Sequence, residues 1–171
     1  QGADLISISG GMTADSIYGG SGNDSYNFTG GSASGLVDTG IGIDSILFGD
    51  SADTMTITGA LTSTTVKAGD GADTLYIASS MSSGYIEGEE ASDMINFASL
   101  SALANATTIK GGAGSDSISL HGGANDLVLN VFSGDSLFGG TGADSLTFTG
   151  SVVGGSVSAG SGADSIVMSG T

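Results

Sequence analysis

The pattern Gly-x-Gly-x-Asp returns along the chain in fixed company, and few folds can accommodate it. It reads G-S-G-N-D at 20–24, G-D-G-A-D at 69–73, G-A-G-S-D at 112–116, G-T-G-A-D at 140–144 and G-S-G-A-D at 160–164. Counting from Asp24, Asp44, Asp73, Asp93, Asp116, Asp144 and Asp164, the second residue onward is always apolar: Tyr26, Ile46, Leu75, Ile95, Ile118, Leu146 and Ile166. So is the fourth, which runs Phe28, Phe48, Ile77, Phe97, Leu120, Phe148 and Met168. Seven residues before each aspartate stand Ile17, Val37, Val66, Ile86, Ile109, Leu137 and Val157. Self-similarity of this kind marks a solenoid, in which one short unit repeats and neighbouring units bury a shared core.

The apolar residues two and four places after each aspartate alternate with polar ones, and a period of two puts them on one face of a β-strand. Each Gly-Asp turn therefore joins two short strands, both with inward anchors. Glycine at this density argues against helix. Asp4, Asp24 and Asp44 are 20 residues apart, as are Asp53, Asp73 and Asp93, so about 19 to 20 residues make one coil. Over 171 residues that predicts a single all-β domain, a parallel β-roll of about nine coils. Intervals of 9, such as Asp15 to Asp24 and Asp44 to Asp53, equal half a coil and send successive aspartates to opposite edges. The first edge is expected to carry Asp4, Asp24, Asp44, Asp126, Asp144 and Asp164; the second, Asp15, Asp53, Asp73, Asp93, Asp116 and Asp135.

The formal charge is −16, with Lys67 and Lys110 as the only basic residues, which excludes nucleic acid as a partner. No apolar run approaches the roughly 18 residues of a membrane span, so no membrane insertion is expected, and no signal-peptide pattern opens the sequence. The chain has no Cys, which fits an extracellular protein braced by metal instead of disulfides.

Stacked coils would bring equivalent carboxylates to about 4.8 Å, where two charges repel by roughly 3.5 kcal/mol at an effective dielectric near 20. Calcium, which takes about six to eight oxygens, turns that repulsion into a cross-link. The candidate ligands are the twelve edge aspartates together with the turn backbone at Gly20, Gly22, Gly69, Gly71, Gly112, Gly114, Gly140, Gly142, Gly160 and Gly162. Glycine lets turn carbonyls face an ion because positive φ costs it little. Intervals between motif turns suggest roughly eight Ca²⁺, whose charge would offset the formal −16.

The segments G-G-S-G-N-D-S-Y-N (19–27), G-G-A-G-S-D-S-I-S (111–119) and G-G-T-G-A-D-S-L-T (139–147) resemble the nonapeptide of the RTX (repeats-in-toxin) calcium-binding family. The resemblance implies type I secretion without a cleaved leader, and folding triggered by external calcium. Its departures are Thr39 and Ile41 around Gly40, Glu89 and Ala91 in place of glycine, and a repeat one residue short at 122–126. Degenerate repeats of this kind are most like those of bacterial surface-layer and adhesin proteins.

Little else carries chemistry. His121 is the single histidine, without a second His or a Cys to share a transition metal. Lys67 and Lys110 each follow an inward anchor and so point outward. Glu87, Glu89, Glu90 and Asp93 imitate a carboxylate pair but align with a turn, and the Ser and Thr residues lack a base. The expected protein is not an enzyme but a secreted or cell-surface structural module, which self-associates end to end or in a lattice because the repeat pattern reaches Gln1 and Thr171. Two other readings are an ice- or ligand-binding solenoid and an accessory module of a secreted enzyme or toxin. The outer turn position reads Ser21, Ile41, Asp70, Ala113, Thr141 and Ser161, too irregular for an ordered hydroxyl array.

Overall fold

Alternating short strands wind into two large parallel sheets, beside which Phe132–Ser133 and Val152–Val153 form a short parallel pair. The computed structural model describes residues 2–98, 103–104, 107–120, 125–129, 132–133, 136–139, 141, 143–148 and 152–169. The first sheet has nine strands: Leu5–Ile8, Ser25–Phe28, Ser45–Leu47, Thr65–Lys67, Tyr85–Glu90, Thr107–Ala113, Asp126–Leu129, Ser145–Phe148 and Ser165–Met168. The second runs through Met12–Tyr18, Ala33–Gly42, Thr54–Thr62, Thr74–Ile77, Met94–Phe97, Ser117–Ser119, Ser136–Phe138 and Ser156–Ser158. Met81–Ser82 and Leu103–Ala104 extend it from the far end of Thr54–Thr62. The fold is thus the expected parallel β-solenoid, with each strand beside its counterpart one coil on, as in Ser25↔Ser45↔Thr65↔Tyr85.

The repeat columns form the core. Tyr26, Ile46, Leu75, Ile95, Ile118 and Leu146 are buried, as are Phe28, Phe48, Ile77, Phe97, Leu120 and Phe148. From the opposite strand come Val37, Val66, Ile86, Ile109 and Leu137. Phe28 and Phe48 stack with ring centroids 5.0 Å apart. Ile166 and Met168 obey the same pattern yet are exposed, since no described coil covers the last strand.

In the first sheet the repeat changes phase at Ile109. Ile109 pairs with Ile86 on one side, in line with Val66 and Ile46, but with Leu129 on the other, in line with Phe148. That is a shift of two places along the repeat. An even shift leaves every inward side chain inward, whereas a shift of one would expose the core.

Both lysines sit on the outer face of the first sheet and join one network. Lys67 Nζ lies 3.1 Å from Glu87 Oε2 and 2.8 Å from Glu89 Oε1, and Lys110 Nζ lies 3.6 Å from Glu87 Oε1. Tyr85 donates its hydroxyl to Glu87 Oε2 at 2.7 Å, and Lys110 stands 5.0 Å from the Tyr85 ring centre. These pairs are partly solvent-exposed, so each contributes little, on the order of 1 kcal/mol or less.

The motif turns keep one shape even where glycine is replaced. Gly69 and Gly71 have φ of 92° and 127°, Gly112 and Gly114 have 116° and 143°, and in the coil between them Glu89 and Ala91 take 77° and 80°. The left-handed region costs a residue with a Cβ about 1 to 2 kcal/mol. Glu89 offsets this through Lys67; Ala91, exposed, has no such contact. Ala91→Gly is therefore expected to stabilise the calcium-loaded protein by about 1 kcal/mol. A urea midpoint that stays put or falls would contradict this.

Candidate metal centre

Along each edge the aspartates form a hydrogen-bonded column. The backbone N–H of Asp24 donates to Asp44 Oδ1 at 2.9 Å, and on the second edge Asp53 donates to Asp73 at 2.7 Å, Asp73 to Asp93 at 2.9 Å and Asp93 to Asp116 at 2.8 Å. Asp4 and Asp144 donate in the same way to Asp24 and Asp164. Each carboxylate thus uses one oxygen to hold the turn of the coil before it. Strand pairing carries the rest of that turn, as where Ser45 N–H donates to Asp24 O.

The other oxygen is left over. Asp24, Asp44, Asp53, Asp73, Asp93, Asp116 and Asp144 are all within 1 to 3% of complete burial. Oδ2 of Asp24, Asp73, Asp93 and Asp144 has no hydrogen-bond partner. A buried polar atom without a partner costs about 1 to 3 kcal/mol, more if charged, and it marks the place where an ion or water belongs. Asp53 differs, because the Gly49 N–H hydrogen-bonds its carboxylate in addition to Ala33 N–H.

Glycines five residues upstream reveal what the free oxygens face. A Cβ built on Gly19 would strike the Tyr26 hydroxyl and lie 2.5 Å from Asp24 Oδ2 and 2.7 Å from the carbonyl oxygen of Thr39 in the next coil, which also accepts from that hydroxyl at 3.4 Å. On Gly88 it would strike Asp93 Oδ2 and the Gly111 carbonyl, and on Gly139 it would strike the Ala159 carbonyl and lie 3.0 Å from Asp144 Oδ2. The motif thus opens with glycine in these turns because a carboxylate oxygen and a carbonyl from the following coil converge where a side chain would start. Two oxygen acceptors set against each other need something positive between them.

That arrangement fits a hard cation with oxygen ligands. Among the described residues no three or more Asp, Glu, His or Cys side chains gather into one cluster. The chain would therefore supply a carboxylate per turn with backbone carbonyls, a set suited to Ca²⁺ rather than to zinc or copper. Burial pushes the metal-free carboxyls upward: Asp73 rises to about 7, opposed by the Asp53 N–H and reinforced by the charges of Asp93 and Asp53. Asp93 rises to about 6, again through burial and then the charge of Asp116, and burial also raises Asp44 and Asp53.

Most of the candidate residues fall in the two columns, with Asp4 exposed and Asp164 half-buried at the ends. Two fall elsewhere. Asp15 lies inside the strand Met12–Tyr18, exposed and opposite Gly35 beyond a bulge at Ala14, and Met12 aligns with Ala33 in the column. The half-coil interval to Asp24 is coincidental, because that strand is long enough to carry Asp15 past the turn. Asp126 pairs with Ser145, one place after the column, and Asn125 takes the column position with its N–H 2.9 Å from Asp144 Oδ1. Counting back from a repeat one residue short gave the wrong register there. Asp135, Gly140 and Gly142, like His121, lie outside the described residues.

Gly20, Gly22, Gly69, Gly71, Gly112, Gly114, Gly160 and Gly162 all have positive φ. Gly19, Gly88 and Gly139, and the carbonyls of Thr39, Gly111 and Ala159, were missed as parts of the site. The first glycine of the nonapeptide is a sequence signal for that position, while a backbone carbonyl leaves none.

A parallel β-solenoid whose turns align buried, half-satisfied aspartates is the framework of a calcium-binding repeat protein. The model of the RTX calcium-binding nonapeptide repeat (4 copies) matches residues 7–26, 103–130 and 133–147. The match spans less than half of the chain and supports RTX-type repeats there, whose β-solenoid is a structural calcium-binding fold rather than a catalytic one. No curated protein and no solved structure matches the chain.

The raised carboxyls set a pH dependence for the metal-free chain. Asp73 has a folded pKa of about 7 against an ordinary 3.8, so the folded state binds more protons than the unfolded one between those values. Its contribution is fully present below pH ~4 and is lost as the pH rises through ~7. Stripped of calcium, the protein is expected to gain stability on acidification from pH 7 to 4.5. A calcium-free circular dichroism signal that gains no β structure on acidification over this range would show that these carboxylates are not buried in the metal-free fold.

Proposed function

We propose that the chain is a calcium-dependent structural rod of a secreted bacterial surface-layer, matrix or adhesin protein, which folds on meeting external calcium and stacks with further coils. The observation that carries this reading is the row of buried aspartates, each with one oxygen committed to a neighbouring coil and, at Asp24, Asp73, Asp93 and Asp144, the other without a partner. A net charge of −16 supports it, because a chain so charged opposes its own compaction until cations arrive. RTX repeats are typical of secreted bacterial proteins, and external fluids hold calcium in the millimolar range where weak extracellular sites fill. No helix among the described residues is long and apolar enough to cross a membrane.

Stacking is supported by the two outermost described strands of the first sheet. Leu5–Ile8 and Ser165–Met168 each pair on one side only, and Leu5, Ile166, Val167 and Met168 are exposed. Both present an open parallel edge with apolar side chains, suited to a further coil of the same polypeptide or of a second copy. Association that rises jointly with calcium and protein concentration in light scattering is the expected sign of copies pairing. A strictly monomeric particle in millimolar calcium would remove self-assembly from this reading.

Calcium dependence itself is tested by removal. With EGTA at neutral pH the carboxylate columns keep their repulsion and conformational entropy opposes order, so the β signal in circular dichroism should collapse and return on adding calcium. Asp73→Ala and Asp116→Ala should each lower the number of bound ions, while His121→Ala should leave it unchanged. An EGTA-insensitive spectrum would sink the proposed role.

A further inference from the structure

Beside Asp144 in the first-edge column stands a residue that changes the chemistry of the aspartates without changing their geometry. Asn125 is 3% exposed, aligned with Asp144, and its backbone N–H donates to Asp144 Oδ1 as the aspartates of other coils donate to theirs. The ladder continues normally, with Ser145 N–H on the Asn125 carbonyl at 2.6 Å. The side chain does something no aspartate can do. Its amide Nδ2 donates to Asp144 Oδ1 at 2.8 Å and to the carbonyl oxygen of Gly139 at 3.3 Å.

Gly139 stands five residues before Asp144, and this is the carbonyl position that faces a column carboxylate at other junctions. Asp24 Oδ2 faces Thr39 there, Asp93 Oδ2 faces Gly111, and Asp144 Oδ2 faces Ala159. At the Asp93 and Asp144 junctions two oxygens oppose one another, while at the Asp24 junction the Tyr26 hydroxyl also donates to the Thr39 carbonyl at 3.4 Å. Between Asn125 and Asp144, an N–H donor replaces one of them and satisfies both the next turn's carbonyl and its carboxylate. Carboxamide and carboxylate have the same shape, so the exchange alters charge and hydrogen-bonding sense while leaving packing intact.

We propose that the Asn125 carboxamide takes the role of the cation at this junction, so that the coil of Asn125 locks onto the coil of Asp144 without calcium. The inference rests on the reading that the aspartate columns hold calcium elsewhere. It sets this junction apart from those of the buried aspartates, which need an ion, and would hold its two coils in register before metal arrives.

The test counts ions. Wild-type protein and two variants are dialysed against calcium, bound metal is measured by atomic absorption, and folding is followed by circular dichroism. Asn125→Asp restores two opposed oxygens and should bind one calcium ion more per chain than wild type. Asn125→Ala removes the amide without adding charge; it should bind as many ions as wild type and melt at a lower temperature. An unchanged count in folded Asn125→Asp overturns the proposal. So does the loss of one ion in Asn125→Ala, which would mean that Asn125 already carries calcium through its carbonyl oxygen. Should Asn125→Asp fail to fold in saturating calcium, the alanine variant decides alone. A wild-type protein that binds no calcium fails the calcium reading and this inference together, whereas normal wild-type binding with contrary variants fails the inference only.

Discussion

A carboxylate that is buried, committed on one oxygen and unsatisfied on the other sets the terms for the rest of this solenoid. Asp93 shows the problem whole: Oδ1 accepts the Asp73 N–H, while Oδ2 lies against Gly88 and the Gly111 carbonyl without a donor. An apolar residue there would leave the N–H of the preceding turn orphaned in the interior. An aspartate satisfies that N–H but brings a charge that burial opposes. The turn geometry resolves the conflict only when a positive centre enters, which is why backbone conformation, glycine placement and metal demand are inseparable in these repeats.

The two edges share this burden along the rod. First-edge aspartates stop after Asp44, and Thr64 and Gly84 fill the next two column positions, as shown by Thr65 N–H on Asp44 O and Tyr85 N–H on Thr64 O. Over the same coils the second edge runs unbroken through Asp53, Asp73, Asp93 and Asp116. The ion pairs of Lys67 and Lys110 with Glu87 fall on the first sheet in that interval. Where one edge lacks carboxylates, the coils are tied by the opposite column and by a lysine–glutamate brace across the intervening face. Surface pairs are individually weak, so the second-edge column carries most of the polar coupling in the middle of the rod.

The fold was legible because its signal is redundant: three apolar columns, a fixed coil length and a turn motif all specify the same strands. The columns failed only at the last strand, where Ile166 and Met168 fit the pattern but lie uncovered. Column positions were legible where the coil length held. Asp126 was misplaced because a shortened repeat moves the register by one, and only pairing with Ser145 reveals that Asn125 occupies the column. Asp15 misled because its interval to Asp24 equals half a coil although its strand overruns the turn. The carbonyl half of each cradle had no signature, since any residue can supply a carbonyl and only the close approach at Gly19 or Gly88 exposes it.

Geometry also gives aspartates unequal weight. Asp93 holds the Asp73 turn with one oxygen and faces the Gly111 carbonyl with the other, so it spans three coils rather than two. Asp24 does the same between Asp4 and Thr39. In a nearest-neighbour array, stability is roughly the sum of unit and interface terms. Losing an interior aspartate therefore weakens two interfaces, one through an orphaned N–H and the other through a missing ligand oxygen. Asn125 separates these two functions: it keeps its place in the ladder of N–H groups and carbonyls while exchanging the ligand oxygen for a donor. The columns are thus a backbone device first, on which the demand for a cation is imposed by the choice between one oxygen and one amide.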